Sequence, residues 1–163
     1  MRYNDRTKKK VEGWTMTKTV YHNILVPVDG SKEAEAAFHK AIEVALQNGE
    51  STHLQILHVI DTRSFQNVTD FQTTMVDQVS QTAKETLEAY VKEAQAAGVK
   101  NVAYKIEYGS PKALIATEAP KEFEADLIMI GATGLNAIER LLIGSVTEYV
   151  TRAAKVDTLI VRA

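Results

Sequence analysis

Apolar positions recur along the chain in two alternating rhythms. His22-Asn23-Ile24-Leu25-Val26-Pro27-Val28 is a short, nearly continuous apolar run and reads as a buried strand. Asp29-Gly30-Ser31 turns the chain. Ala34, Ala37, Phe38, Ala41, Ile42, Ala45 and Leu46 then follow at spacings of three and four, which lines one face of a helix. Ser31 suits its N-cap, Glu33 and Glu35 its first turn, and Asn48-Gly49 its end. A second strand is expected from His53 to Ile60. The polar stretch from Asp61 to Thr69 is long for a connection in a compact domain, which suggests a mobile segment or one that covers a site. Val76, Val79, Ala83, Leu87, Tyr90, Ala94 and Ala97 mark one face of a long second helix, closed by Gly98. From Asn101 to Tyr108, Val102, Tyr104 and Ile106 alternate with Ala103, Lys105 and Glu107, the pattern of a strand near a sheet edge.

Gly109-Ser110-Pro111 opens a third helix, with Ser110 as N-cap and Pro111 in its first turn. Pro120 should kink or end that helix, because it lacks an N–H and crowds the carbonyl four residues back. A fourth strand is expected from Leu127 to Ile130. A last helix starts near Gly144 and buries Val146, Tyr149, Val150 and Ala153, and a fifth strand runs from Thr158 to Val161. Strands alternating with helices predict an α/β fold: one domain of three α/β/α layers around a mainly parallel sheet. Ligands in such sheets sit beyond the C-terminal strand ends, where the strand order switches. Asp29, Val59 and a glycine loop after the fourth strand converge on that edge.

The loop is Gly131-Ala132-Thr133-Gly134, then nine residues, then Gly144-Ser145 opening a helix. Glycine lets backbone approach an anion closely, and a helix N-terminus supplies unpaired N–H groups and a positive dipole end. Together they read as a phosphate cradle, the alternative being a strand-to-helix turn that merely needs glycine. The chain has no Gly-x-x-x-x-Gly-Lys-Ser/Thr loop, and Gly131 to Gly134 lacks the third glycine of a dinucleotide fingerprint. No histidine pair has zinc-helix spacing; His53 and His58 read as structural. No residue stands out as a catalytic base, and no metal-ligand set is evident.

Composition narrows the classes further. The 163 residues suit one domain with a sizeable core, and a net charge of -2 implies no nucleic-acid partner. The absence of cysteine removes disulfides and fits a reducing compartment. No apolar run approaches the ~20 residues of a membrane span, and no secretory signal is evident, so a cytoplasmic protein is expected. Residues 1–20, with Lys8-Lys9-Lys10 and no periodicity, read as a flexible tail before a domain over 21–163.

From about residue 20 to 162 the chain resembles the universal stress protein family, in its ATP-binding branch. The matching pieces are Ile24-Leu25-Val26-Pro27-Val28-Asp29-Gly30-Ser31, Leu57-His58-Val59-Ile60, Asp126-Leu127-Ile128-Met129-Ile130-Gly131 and Gly144-Ser145-Val146-Thr147. The resemblance implies a Rossmann-like, five-stranded parallel sheet in the order 3-2-1-4-5, of the adenine nucleotide alpha hydrolase-like type. It also implies a homodimer through the C-terminal strand, Thr158 to Val161. It implies that Asp29 accepts from ribose hydroxyls, that Val59 reads adenine through its backbone, and that Pro27 and Val28 line the base. Gly131 and Gly134 would let the loop approach ribose and phosphates, and Gly144, Ser145, Val146 and Thr147 would hold phosphate oxygens. The ligand implied is ATP, with magnesium held through the phosphates. Where many relatives carry His or Arg between the first two glycines, this chain has Thr133, and Arg140 is a possible substitute cation. The resulting expectation is a nucleotide-dependent stress-response regulator with an unnamed protein partner and no efficient catalysis. The alternatives are a slow ATPase or autophosphorylating protein, and a structural dimer module without nucleotide.

Overall fold

The computed structural model describes residues 10–11, 14–15, 20–65, 72–134 and 143–163. Five strands form one sheet: β1 Asn23–Pro27, β2 His53–Ile60, β3 Asn101–Tyr108, β4 Leu127–Gly131 and β5 Asp157–Val161. Their spatial order is β3-β2-β1-β4-β5, every pairing parallel, which is the order the resemblance implies. Helices α1 Lys32–Asn48 and α2 Gln72–Ala97 cover one face. The other face carries α4 Ser145–Ala153 and a composite helix α3, made of Pro111–Ala113, Leu114–Glu118 and Ala119–Glu122.

Alternation along each strand divides the core in two. Ile24, Val26, Leu54, Ile56, Leu127 and Met129 face α1 and α2, while Leu25, Leu57, Ile128 and Ile130 face α3 and α4. Burial on both faces is why β1 and β4 read as apolar runs rather than alternating strands. Phe38 of α1 is fully buried, and its ring lies 4.5 Å from that of Tyr90 on α2, joining the two helices over the sheet. The expected caps of α1 are present: Ser31 Oγ accepts from the Ala34 N–H at 3.1 Å, and Gly49, at φ 110°, returns its N–H to the Ala45 carbonyl.

The structure departs from the sequence reading at four places. Of the two outcomes expected at Pro120, a kink or an end, the end does not occur. Leu114–Glu118 forms a π turn in which the Ala119 N–H reaches the Leu114 carbonyl, so the wider turn absorbs the missing proline donor and the helix runs on to Glu122. Ser110 has the extended backbone of an N-cap but makes no side-chain cap bond. Leu46 and Val79, expected on buried faces, are 46 % and 38 % exposed. Leu46 reaches over Gly98 at the end of α2, and the first half of α2 stands off the sheet over a second cavity of about 360 Å³, lined by Val28, His58, Val79, Ala83 and Leu87 among others. In the segment expected to be an irregular tail, Lys10–Val11 pairs antiparallel with Trp14–Thr15. Thr62–Phe65 is a 3-10 turn; the remainder of the Asp61 to Thr69 segment, and Arg140, lie outside the described residues.

The two sheet edges differ. β3 carries Lys105, held between Glu107 at 2.7 Å and Glu122 at 2.6 Å, and charged side chains on an edge discourage strand addition. β5 instead exposes Leu159 by 40 %.

Candidate functional site

β1 and β4 are neighbours only over Ile24 opposite Leu127 and Leu25 opposite Ile128. Both strands run on, to Pro27 and Gly131, and part as they do so. Beyond them β1 continues through Asp29 into α1, and β4 continues into the glycine loop. A cleft of about 480 Å³ opens at this switch point. Pro27, Val28, Asp29, Val59, Gly131, Gly134, Gly144, Ser145, Val146 and Thr147 all line it. The ten residues assigned to the nucleotide from the sequence thus line one cleft, while Arg140, the possible substitute cation, lies outside the described residues. Sequence reasoning did not anticipate Ala34, Leu57, Asp61, Pro111, Ile115 or Ile130, whereas Thr133, noted in the glycine loop, does line the wall. Pro111 and Ile115 come from the first half of α3, and the polar segment's first residue, Asp61, was the only signal among these.

One wall exposes strand backbone. Along a parallel ladder a residue's N–H and C=O point to the same side, and successive residues alternate sides. The Leu57 carbonyl accepts the Val28 N–H at 2.8 Å, and the Ile60 carbonyl accepts the Gly109 N–H on the β3 side. Val59 therefore presents its N–H and C=O toward β1. One further rung would join the Val59 N–H to the Val28 carbonyl, but the β1–β2 register ends at Pro27 opposite Leu57. The Val28 carbonyl is met instead by His58 Nδ1 at 2.8 Å. A carbonyl only accepts, so the ring carries its proton on Nδ1. His58 is structural, as expected, and the contact it makes leaves the Val59 edge directed into the cleft.

The glycines have separate jobs. A Cβ on Gly131 would lie 2.6 Å from the Glu33 carbonyl carbon and 2.8 Å from the Ala34 nitrogen, so this glycine lets α1 dock against the end of β4. A Cβ on Gly134 would lie 2.6 Å from Asp29 Oδ2, so the loop closes directly over that carboxylate. Asp29 Oδ1 accepts the Ser31 N–H at 3.0 Å, which orients it. Gly144 is the N-cap of α4, with extended backbone at φ -63° and ψ 151° and no side-chain cap. Its N–H donates to the Ala132 carbonyl at 2.8 Å, pinning the two ends of the loop together.

Thr147, in the first turn of α4, is buried and donates its hydroxyl to the Gly131 carbonyl at 2.7 Å. Its proton is committed to the fold, whereas Ser145 is exposed on the rim. Asp61 holds Arg63 by two contacts, 2.8 Å to Nε and 2.6 Å to the terminal nitrogen. The hydrogen bonds from Arg63 hold the Asp61 carboxyl below its ordinary pKa. The cleft is thus apolar across Pro27, Val28, Pro111, Ile115 and Ile130, with carboxylates at Asp29 and Asp61 and helix starts at α1, α3 and α4. Among the described residues no group of three or more His, Cys, Asp or Glu is placed to hold a metal, and no helix is long and apolar enough to cross a membrane.

A five-stranded parallel sheet in this order, with a glycine-closed cleft at its switch point, defines the class as a Rossmann-like α/β protein. The chain belongs to the universal stress protein family, whose model matches residues 20–162. A Staphylococcus epidermidis protein named for the same family is 44% identical over 142 residues, 87% of this chain and 84% of its own. The solved universal stress protein UspA from Lactobacillus plantarum superposes with a TM-score of 0.79 at 33% identity, covering 88% of this chain and 99% of that one. A universal stress protein solved in complex with cAMP superposes with a TM-score of 0.66 at 26% identity, covering 88% and 98%.

Proposed function

We propose that the cleft binds an adenine nucleotide, ATP with magnesium on its phosphates, and that the protein is a nucleotide-dependent regulator in a stress response. The observation that carries the reading is the Val59 edge. An N–H beside a C=O, set between apolar walls, matches the acceptor and amino donor on adjacent positions of adenine and mismatches guanine. On the same reading Asp29 accepts from the ribose hydroxyls, Pro27 and Val28 flank the base, and Gly131 and Gly134 bring the loop close. The N–H groups of Gly144, Ser145, Val146 and Thr147 meet phosphate oxygens at the positive end of α4. The cAMP-bound relative supports an adenine ligand in this fold. Magnesium has no protein ligand set among the described residues and would be held by the phosphates themselves. Calorimetry with ATP and GTP tests the reading: ATP binds and GTP does so at least ~tenfold more weakly, ~1.4 kcal/mol. Equal affinities, or none for either, would remove it.

The exposed apolar edge of β5 supports a homodimer through that strand, since an edge of this kind otherwise recruits wrong partners. Sedimentation at micromolar concentration should give a dimer; a single monomer species would reject the pairing. A cytoplasmic protein with no nucleic-acid or membrane partner completes the proposal.

A further inference from the structure

The second cavity, of about 360 Å³ between α2 and the ends of β1 and β2, has no part in the reading above, although Val28 and Asp29 line both spaces. α2 is propped away from the sheet at two points. Toward β3, the Tyr108 hydroxyl meets Ser80 Oγ at 2.8 Å, while Ser80 itself donates to the Val76 carbonyl at 2.6 Å. Toward α1, the Tyr90 ring packs on Phe38 with centroids 4.5 Å apart. Val79, Ala83 and Leu87, on successive turns of α2, face the gap between these props, with Val28 and the rings of His58 and Tyr90 as its other walls. His58 gives its Nδ1 proton to the Val28 carbonyl at 2.8 Å, which leaves Nε2 of the neutral imidazole an acceptor. Nε2 bonds no other described residue. No buried side-chain nitrogen or oxygen among the described residues lacks a partner, so Nε2 is an atom that solvent reaches. The described lining holds no Lys or Arg, and its one carboxylate, Asp29, is engaged by the Ser31 N–H at 3.0 Å. A charged ligand therefore finds no unengaged counter-charge.

We propose that this cavity is a second ligand site, for a small neutral aromatic molecule with one hydrogen-bond donor that His58 Nε2 receives. Its volume stands at the small end of ligand pockets, which run from about 300 to 1,000 Å³ and combine apolar walls with a few placed polar groups. A flat one- or two-ring molecule covers Val79, Ala83 and Leu87 with one face and Val28 with the other, beside the His58 and Tyr90 rings. Its donor meets the imidazole. Water is the poorer occupant, because an ordered water needs about two to four polar partners and the buried walls, Val28 and Leu87, offer none. The site is separate from the nucleotide cleft: Val28 and Leu87 belong to the core under α1 and α2, whereas Ile115 and Ile130 of the cleft belong to the core under α3 and α4. Both sites can therefore be filled at once.

Indole, two fused rings with a single N–H, is the probe. Titrated into the isotopically labelled full chain without nucleotide, it should move the amide resonances of Val79, Ala83 and Leu87 and saturate with a Kd at or below about 1 mM. Benzofuran, the same bicycle with oxygen in place of N–H, should bind at least ~threefold more weakly, because it leaves Nε2 facing another acceptor. Ala83→Leu fills the space and should weaken indole at least ~tenfold. Val79→Phe fills it from an exposed position and makes the same comparison if leucine is not accommodated. Shifts centred on Ile115 and residues 144–147 would put indole in the nucleotide cleft and overturn the second site. The absence of saturable shifts, equal affinities for indole and benzofuran, or an indole affinity that neither filling variant reduces overturns it as well. No arm contains a nucleotide, so the result stands apart from the adenine reading.

Discussion

The hydroxyl of Thr147, one turn into α4, donates to the carbonyl of Gly131 at the end of β4 over 2.7 Å. This bond joins the two lips of the cleft beneath the loop, and both partners are buried. Thr147→Val keeps the shape and leaves the Gly131 carbonyl without its partner. A buried acceptor stripped of its donor costs about 1–3 kcal/mol. Urea unfolding should show a loss in that range, and Thr147→Ser should recover most of it. An unchanged midpoint for the valine variant would mean that water replaces the bond.

The three glycines of the site should separate in their effects when each is changed to alanine. At Gly131 the new Cβ meets α1 backbone at 2.6 Å and 2.8 Å, so the helix has to shift, and a loss of about 1–3 kcal/mol is expected. At Gly134 it meets only the end of the Asp29 side chain, which can rotate away. Stability should then change by less than about 1 kcal/mol, while ATP affinity falls at least ~tenfold, because the displaced carboxylate no longer faces the ribose. At Gly144 the nearest atom is 3.3 Å away and the backbone is ordinary for any residue, so alanine should be the mildest of the three on both counts. Valine there adds branches that press on Thr133 and Gly134, and it should reduce binding at least ~tenfold with the proposed dimer unaffected. Any other ranking of the alanine variants contradicts these geometries.

His58 is expected to act on base recognition without touching the base. Its ring occupies the Val28 carbonyl at 2.8 Å, where the Val59 N–H would otherwise complete another rung. His58→Phe removes the donor and lets that rung form. ATP affinity should fall at least ~tenfold, and the preference for ATP over GTP should shrink with it. His58→Gln keeps an amide donor and should restore part of both. A phenylalanine variant with weaker binding but an unaltered ATP-to-GTP ratio would assign the histidine to stability alone.

Tyr90 ties stability to alkaline pH. Burial, followed by the charges of Glu35, Glu93 and Asp29, raises its phenol above the ordinary value near 10. The unfolded chain then loses this proton first. The contribution is complete below about pH 10 and is lost as pH rises through the folded-state pKa. Tyr90→Phe cannot ionise, so its unfolding free energy should decline less steeply above about pH 10 than that of the parent. Parallel slopes would place the alkaline loss elsewhere, Tyr21 with its hydrogen bond to Asp157 being the other raised phenol among the described residues.

The sheet was legible because its signals are local. The apolar runs of β1 and β4 could only be strands buried on both faces, and Ser31 and Gly49 mark the ends of α1 by their own chemistry. Strand order was not available from periodicity and came from the family resemblance. The π turn before Pro120 was hidden, since the proline announces a lost bond but not how neighbouring carbonyls are rematched. Thr147 and Gly131 were marked for the ligand, and the structure shows what else they do: one bonds the other, and the glycine admits α1. Pro111 and Ile115 look like a helix start and a core residue, and only the packing of α3 turns them into a cleft wall. The standing-off of α2 is likewise a matter of what lies opposite Val79, which no spacing along the helix records.

Turnover should be negligible. Phosphoryl transfer to water needs a positioned nucleophile and compensation for charge developing on the transferred group. The described cleft offers N–H groups, the Thr133 and Ser145 hydroxyls and the carboxylates of Asp29 and Asp61. Asp29 is oriented by the Ser31 N–H beneath Gly134, and Asp61 is engaged with Arg63. Neither arrangement positions a base at the phosphate end, and the chain has no P-loop lysine. Neutral donors that hold ground and transition states about equally do not accelerate the chemistry. ATP should therefore persist in the site for minutes or longer. Phosphate release should be followed with purified protein alongside Asp29→Ala and Gly144→Val. A rate near ~1 s⁻¹, the low end for ordinary enzymes, that both substitutions abolish would replace the regulator reading with an enzymatic one. A slow rate that they leave unchanged would belong to a contaminant and leave the binding role standing.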